Sequence, residues 1–127
     1  MVLVDSSVWI EYFKGNDRVR VLDGLIDANA ICINDLILAE LLPAIAVKRE
    51  TVLQDLLESV TRLDMHIDWQ RIIRMQVSNL RNGLNGVGLS DLIIACNALD
   101  HDVELCSLDR HFTAMGPLHG LQLFHLG

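Results

Sequence analysis

Val2-Leu3-Val4-Asp5-Ser6-Ser7-Val8-Trp9-Ile10 decides how the rest of the chain is read. Three apolar residues make a short strand that stops on a carboxylate. The serine pair behind it can cap a helix carrying Val8, Trp9, Ile10, Tyr12 and Phe13. Strand, charged turn and helix in so short a span is the opening of an α/β unit.

The same alternation continues outward. Val19, Val21, Leu22, Leu25 and Ile26 have helical spacing over residues 17–28, and residues 30–33 form a second strand. Asn34 is placed to cap a helix over 35–48, and an amphipathic helix follows over 50–60. A short extended piece at 63–67 leads to a helix over 68–82. Residues 82–88, Asn-Gly-Leu-Asn-Gly-Val-Gly, form a loop, because Gly and Asn tolerate positive φ. Ser90 is the expected cap of a helix over 91–100 that is apolar nearly all round, and strands follow at 103–106 and 121–124. The pattern predicts one α/β domain over residues 1–127, with a short, mostly parallel sheet covered by helices on both faces.

Bulk properties agree with one folded domain. The chain has 127 residues, of which 51% are hydrophobic and 21% charged, too apolar for a disordered protein. Its apolar runs fall far short of the roughly 18 residues of a membrane span, and its first residues lack the features of a signal peptide, so a cytoplasmic protein is expected. Cys32, Cys96 and Cys106 are widely spaced with apolar flanks, which predicts buried thiols rather than disulfides or a zinc knuckle. The net charge of −7 argues against holding nucleic acid through a broad basic face. Bound divalent cations would reverse that sign locally.

Four carboxylates stand out by position. In a parallel sheet ligands bind beyond the carboxyl ends of the strands, and Asp5 and Asp109 each lie just past a strand. Asp91 opens the most apolar helix, where the partial positive charge of the helix N-terminus favours an anion, although a plain capping role would satisfy it too. Glu40 falls roughly 60° from Ile37 and 40° from Ala44 by helical rotation, at the edge of an apolar stripe. Pairing to Lys48 or Arg49 is its structural alternative. Pro43, which cannot donate to the carbonyl of Ala39, sits close by. Four acids gathered at one rim would repel one another without cations, and hard oxygen donors suit magnesium or manganese. Two such ions could activate a water and stabilise a leaving oxygen, the requirement for phosphodiester hydrolysis.

Four segments together resemble a known family: Val4-Asp5-Ser6-Ser7-Val8-Trp9-Ile10, Asp35-Leu36-Ile37-Leu38-Ala39-Glu40-Leu41, Leu89-Ser90-Asp91-Leu92-Ile93-Ile94-Ala95 and Leu105-Cys106-Ser107-Leu108-Asp109-Arg110-His111-Phe112. In order and spacing they resemble the PIN domain, in particular the VapC-like toxins of type II toxin–antitoxin modules. The resemblance implies a Rossmann-like three-layer sandwich, magnesium or manganese held by Asp5, Glu40, Asp91 and Asp109, endonuclease action on RNA, and inhibition by a small antitoxin. Ser6, Ser7 and Ser107 match the hydroxyl positions beside the acids and would orient carboxylates or waters. The chain departs from the family pattern at Pro43 and at Cys106-Ser107, where a threonine-containing turn is usual.

Arg110 and Lys14 are candidates for contact with the RNA backbone, with solvated surface as the alternative. The five histidines show no metal-ligand spacing, and none is assigned a catalytic role. Trp9 and Phe13, four residues apart, read as core rather than as a base-stacking platform. Surplus apolar surface on the helices between residues 17 and 60 suggests a homodimer face or an antitoxin groove. Rival functions are a nuclease of PIN-like or ribonuclease H-like type acting in RNA processing or on DNA, and a non-catalytic metal-binding module. A receiver-type regulator is disfavoured, since no lysine follows Lys48.

Overall fold

β1 (Val2–Val4) is buried throughout and forms the centre of the molecule. In the computed structural model, which describes residues 1–126, it pairs in parallel with β2 (Ile31–Ile33) on one side and β4 (Glu104–Cys106) on the other. β3 (Thr61–Arg62) pairs in parallel with β2, giving the order β3-β2-β1-β4. The chain therefore winds outward from β1 to β3 and then returns to the opposite side of β1. Right-handed crossovers place the helices of the two directions on opposite faces of the sheet. The reversal opens a crevice at the carboxyl ends of β1 and β4.

Two sets of helices cover the sheet. α1 (Ser6–Phe13) packs on α3 (Asp35–Val47), which packs on α4 (Thr51–Ser59). α5 (Trp69–Arg81), α6 (Leu89–Asp100) and α7 (Arg110–His119) pack on one another. Trp9, Leu3, Ile33, Ile37, Leu92 and Phe112 are among the largest fully buried side chains. Trp9 also donates its indole N–H to the Val4 carbonyl at 3.1 Å, fixing α1 against the strand before it. Cys32, Cys96 and Cys106 are free and buried, as their apolar flanks predict.

Several boundaries differ from the sequence expectation. Residues 17–28 divide into a 3-10 turn (Asp17–Val19) and α2 (Val21–Asp27). Val19 and Leu22, three apart and both buried, suit the tighter winding. Asp5 caps α1 in place of Ser6 or Ser7, because a carboxylate reaches the free amides of both Ser7 and Val8. Gly88, not Ser90, precedes α6, so Ser90 and Asp91 both lie in its first turn. The extended piece lies at β3, slightly before 63–67. The segment 121–124 reaches the sheet through a single bridge, Leu105 to Leu123, because β4 ends where Ser107 turns toward Asp5. α3 runs on through Pro43.

The sequence gives little warning of α7, since Gly116 and Pro117 read as breakers. Both lie near its end. A Cβ on Gly116 would stand 3.3 Å from the Leu121 carbonyl oxygen, so glycine lets the returning chain approach the helix.

A buried amide pair joins the two helix sets. Asn34 caps α3 by accepting from the Ile37 amide at 2.9 Å and donates to Asn97 of α6 at 2.8 Å. Asn97 in turn donates to the Asp64 carbonyl at 2.9 Å. Glu40 and Asp91 thus ride on helices tied to each other. Asn34→Ala removes a cap and strands the buried Asn97 oxygen, and should cost about 2–4 kcal/mol in urea unfolding; a loss below about 1 kcal/mol would refute this role.

Candidate metal centre

Asp5 is the most buried of the acids, at 5% exposure. Its Oδ1 accepts from the Ser7 hydroxyl at 2.5 Å and from the amides of Ser7 and Val8 at 3.1 and 3.4 Å. Its Oδ2 accepts from the Ser107 hydroxyl at 2.5 Å and keeps capacity for a further partner. Ser107 Oγ also accepts from the Asp109 amide at 2.9 Å, and Ser7 Oγ from the Leu108 amide at 3.0 Å. The turns after β1 and β4 are thereby laced together. Ser7 and Ser107 hold Asp5, and their hydroxyls accept from the backbone amides at Leu108 and Asp109.

Asp109 caps α7 by accepting from the His111 amide at 2.9 Å. One oxygen each from Asp91 and Asp109 and one ring nitrogen of His111 lie within 4.8 Å of one another. Glu40 is exposed as a whole residue, yet its carboxyl is partly desolvated and faces the charges of Asp5 and Asp91. Its aspect is more open than a stripe edge implies, and it stands outside the cluster formed by Asp91, Asp109 and His111. Ser6 lies at the Glu40 carboxyl and favours its charged form.

The electrostatics follow from crowding. Burial pushes Asp5 above the ordinary carboxylate range despite hydrogen bonds from Ser107 and Ser7. Glu40 is raised by desolvation and then by repulsion from Asp5 and Asp91. Asp91 is raised by desolvation and then by Asp109, with His111 opposing. Among the described residues, the lysines and arginines that form ion pairs do so with other acids: Lys14 with Glu11, Arg20 with Asp17, Arg62 with Asp35, Arg71 with Asp100. Among the described residues no lysine or arginine pairs with the four acids, and the His111 ring lies beside Asp91 and Asp109. Hard oxygen donors, no lysine or arginine to neutralise them, and a buried, unpartnered Nδ1 on His111 together fit a divalent cation.

The two basic candidates differ. Lys14 is exposed and lines, with Glu40, a cleft of about 280 Å³ between α1, α3 and α4. Arg110 is exposed at the start of α7. His111, to which the sequence assigned no catalytic role, lies with Asp91 and Asp109 in one cluster of donor atoms. Its signal was its place two residues after Asp109, legible only once α7 is known.

A PIN-domain family model matches residues 2–117, and the chain belongs to that family. PIN domains are nucleases that generally use a divalent metal. Among solved structures the chain is similar to FitAcB from Neisseria gonorrhoeae, at 22% identity and TM-score 0.73 over 99% of this chain and 98% of that one. It is also similar to VapBC2 from Rickettsia felis bound to a DNA fragment from their promoter, at 20% identity and TM-score 0.75, with 98% of each chain covered. VapBC-1 from nontypeable Haemophilus influenzae matches at 18% identity and TM-score 0.66, over 99% and 98% of the two chains. A search of curated proteins returned no match. No helix among the described residues is long and apolar enough to cross a membrane.

Raised carboxylate pKa values fix a sign. Each acid destabilises the metal-free fold when ionised, and that penalty fades as pH falls through the raised folded values toward the unfolded ones near 4. The unfolding temperature of metal-free protein should therefore rise by about a few degrees, from these groups, as pH falls from neutral toward about 4. Asp91→Asn should unfold at a higher temperature than the wild type at pH 7.5 and lose that advantage near pH 4.5. An Asp91→Asn protein less stable than wild type at pH 7.5 would show that Asp91 is not under repulsion.

Proposed function

We propose that this chain is a metal-dependent endoribonuclease and the toxin of a toxin–antitoxin pair. What supports the reading is the grouping of donor atoms from Asp91, Asp109 and His111 within 4.8 Å, with Asp5 and Glu40 near enough to act on these acids electrostatically and no lysine or arginine paired to any of the four acids among the described residues. Asp5, Asp91 and Asp109 would hold magnesium or manganese, and Glu40, on the open side, would share in holding it or position a water. The bound ions supply an activated water and neutralise charge on the scissile phosphate. Ser7 and Ser107 keep Asp5 ionisable by donating to it, and Ser6 favours the charged form of Glu40. The short lacing between the two turns limits how far Asp5 and Asp109 can drift apart.

Family membership supports nuclease chemistry, and the VapBC and FitAcB neighbours support a toxin with a protein antitoxin. The cleft beside Glu40, lined by Ile10, Phe13, Leu41 and Leu53, gives a partner apolar area within reach of the acids. On α5 the exposed Trp69, Ile73, Val77 and Leu80 form a stripe at helical spacing that suits a homodimer. This stripe lies outside the helices at 17–60 from which the sequence suggested a dimer face. Net charge −7 favours recognition of a particular RNA site over general binding, with Arg110 and Lys14 as backbone contacts.

Purified protein should cut RNA in magnesium or manganese, stop with chelator, and leave DNA of matched sequence intact. Asp91→Asn should slow cleavage on the order of 100-fold. Cleavage that persists in chelator, or at wild-type rate in Asp91→Asn, would overturn the assignment.

A further inference from the structure

We propose that His111 is itself a metal ligand: its Nδ1 joins Asp91 and Asp109 on one cation, so that the centre favours a first-row transition ion over magnesium. The inference rests on the metal-dependent reading above and goes beyond its carboxylate set.

Three observations point to this. The Nδ1 of His111 is buried and has no hydrogen-bond partner, although two carboxylates flank it. It stands 3.6 Å from Asp91 Oδ2 and 3.4 Å from Asp109 Oδ1. Charge-assisted N–H···O bonds usually run to about 2.9 Å, so these separations are too long for good ones. They match neighbouring ligands of a single ion: bonds of about 2.1–2.2 Å place adjacent donors roughly 3.0–3.6 Å apart. The three donors also lie within one 4.8 Å cluster, the span of a single coordination shell.

The ring is held for this task from two sides. The backbone amide of His111 donates to Asp109 Oδ1 at 2.9 Å, so residue and ligand share one helix cap. On the far edge, Gly86 brings its loop close, and a Cβ there would stand 3.8 Å from Nε2. Gly86 has a φ of +79, a backbone state that lets the loop turn there without a side chain. One edge of the imidazole thus faces the acids and the other faces the loop and solvent. Magnesium binds almost wholly through oxygen, whereas an imidazole nitrogen gains affinity along the transition series. A donor set of two carboxylates and one imidazole therefore discriminates where four carboxylates would not.

The test uses Mn2+ and the full chain. Pulsed EPR of Mn2+-loaded wild-type protein should show nitrogen hyperfine coupling of the imidazole type, which changes when histidine is labelled with 15N and vanishes in His111→Gln. Mn2+ affinity, read from the EPR signal of the free ion, should fall on the order of 10-fold in His111→Gln, with a smaller change for Mg2+ measured by competition. Bound Mn2+ without nitrogen coupling in the wild type, or coupling that persists in His111→Gln, would overturn the ligand assignment and leave the carboxylate site standing. A wild-type protein that binds no Mn2+ would overturn both. The wild-type spectrum decides the matter even if His111→Gln folds poorly.

Discussion

The site depends on one set of hydrogen bonds: Ser7 and Ser107 both donate to Asp5, and the same two hydroxyls accept the amides of Leu108 and Asp109. β1 and β4 are adjacent and parallel, so their ends meet at one rim. Without the serine hydroxyls, the buried Asp5 would keep only the backbone amides of its own helix, and no side-chain hydrogen bond would tie its turn to that of Asp109. Ser7 crosses to the other turn by accepting from Leu108 and Ser107 crosses by donating to Asp5, so the charge is solvated and the loops are tied by the same atoms. Trp9, bonded to Val4, and the Asn34–Asn97 pair carry that rigidity outward to α1, α3 and α6.

The lacing brings the acids close, and their mutual repulsion is the price of that geometry. Asp5, Glu40 and Asp91 all resist ionisation, first through desolvation and then, for Glu40, through Asp5 and Asp91 and, for Asp91, through Asp109 and Asp5. Four of the ten lysines and arginines pair with Glu11, Asp17, Asp35 and Asp100 and, among the described residues, none pairs with the site acids, which leaves this repulsion in place. Strain of this kind is released by a cation, and it couples the stability of the protein to the ion its chemistry would use. The acidic balance of the whole chain, an objection to nucleic-acid binding when read as composition, becomes coherent on these terms.

How much of this the sequence disclosed varies by residue. Asp5 and Asp109 were legible because a short apolar run followed by a carboxylate marks a strand end, and parallel order then sets them side by side. The alternation of strands and helices was equally plain, since buried parallel strands read as unbroken Val, Leu and Ile runs. Glu40 was placed on the correct helix and near the correct edge, but its open aspect depends on how α3 lies across α1, which periodicity does not encode. α7 was hidden by Gly116 and Pro117, and His111 with it. The capping of α1 by Asp5 was missed because a serine pair offered the more common cap. In each of these cases tertiary contact settled what local preference left ambiguous.

The central claim is that the four acids form one cation site. Crystals grown with manganese, measured near the manganese absorption edge, would address it directly through the anomalous difference map. The account predicts a peak bounded by Asp5, Asp91 and Asp109, within direct or water-mediated reach of Glu40. A map without a peak there at saturating manganese, or a peak held by other residues, would contradict it.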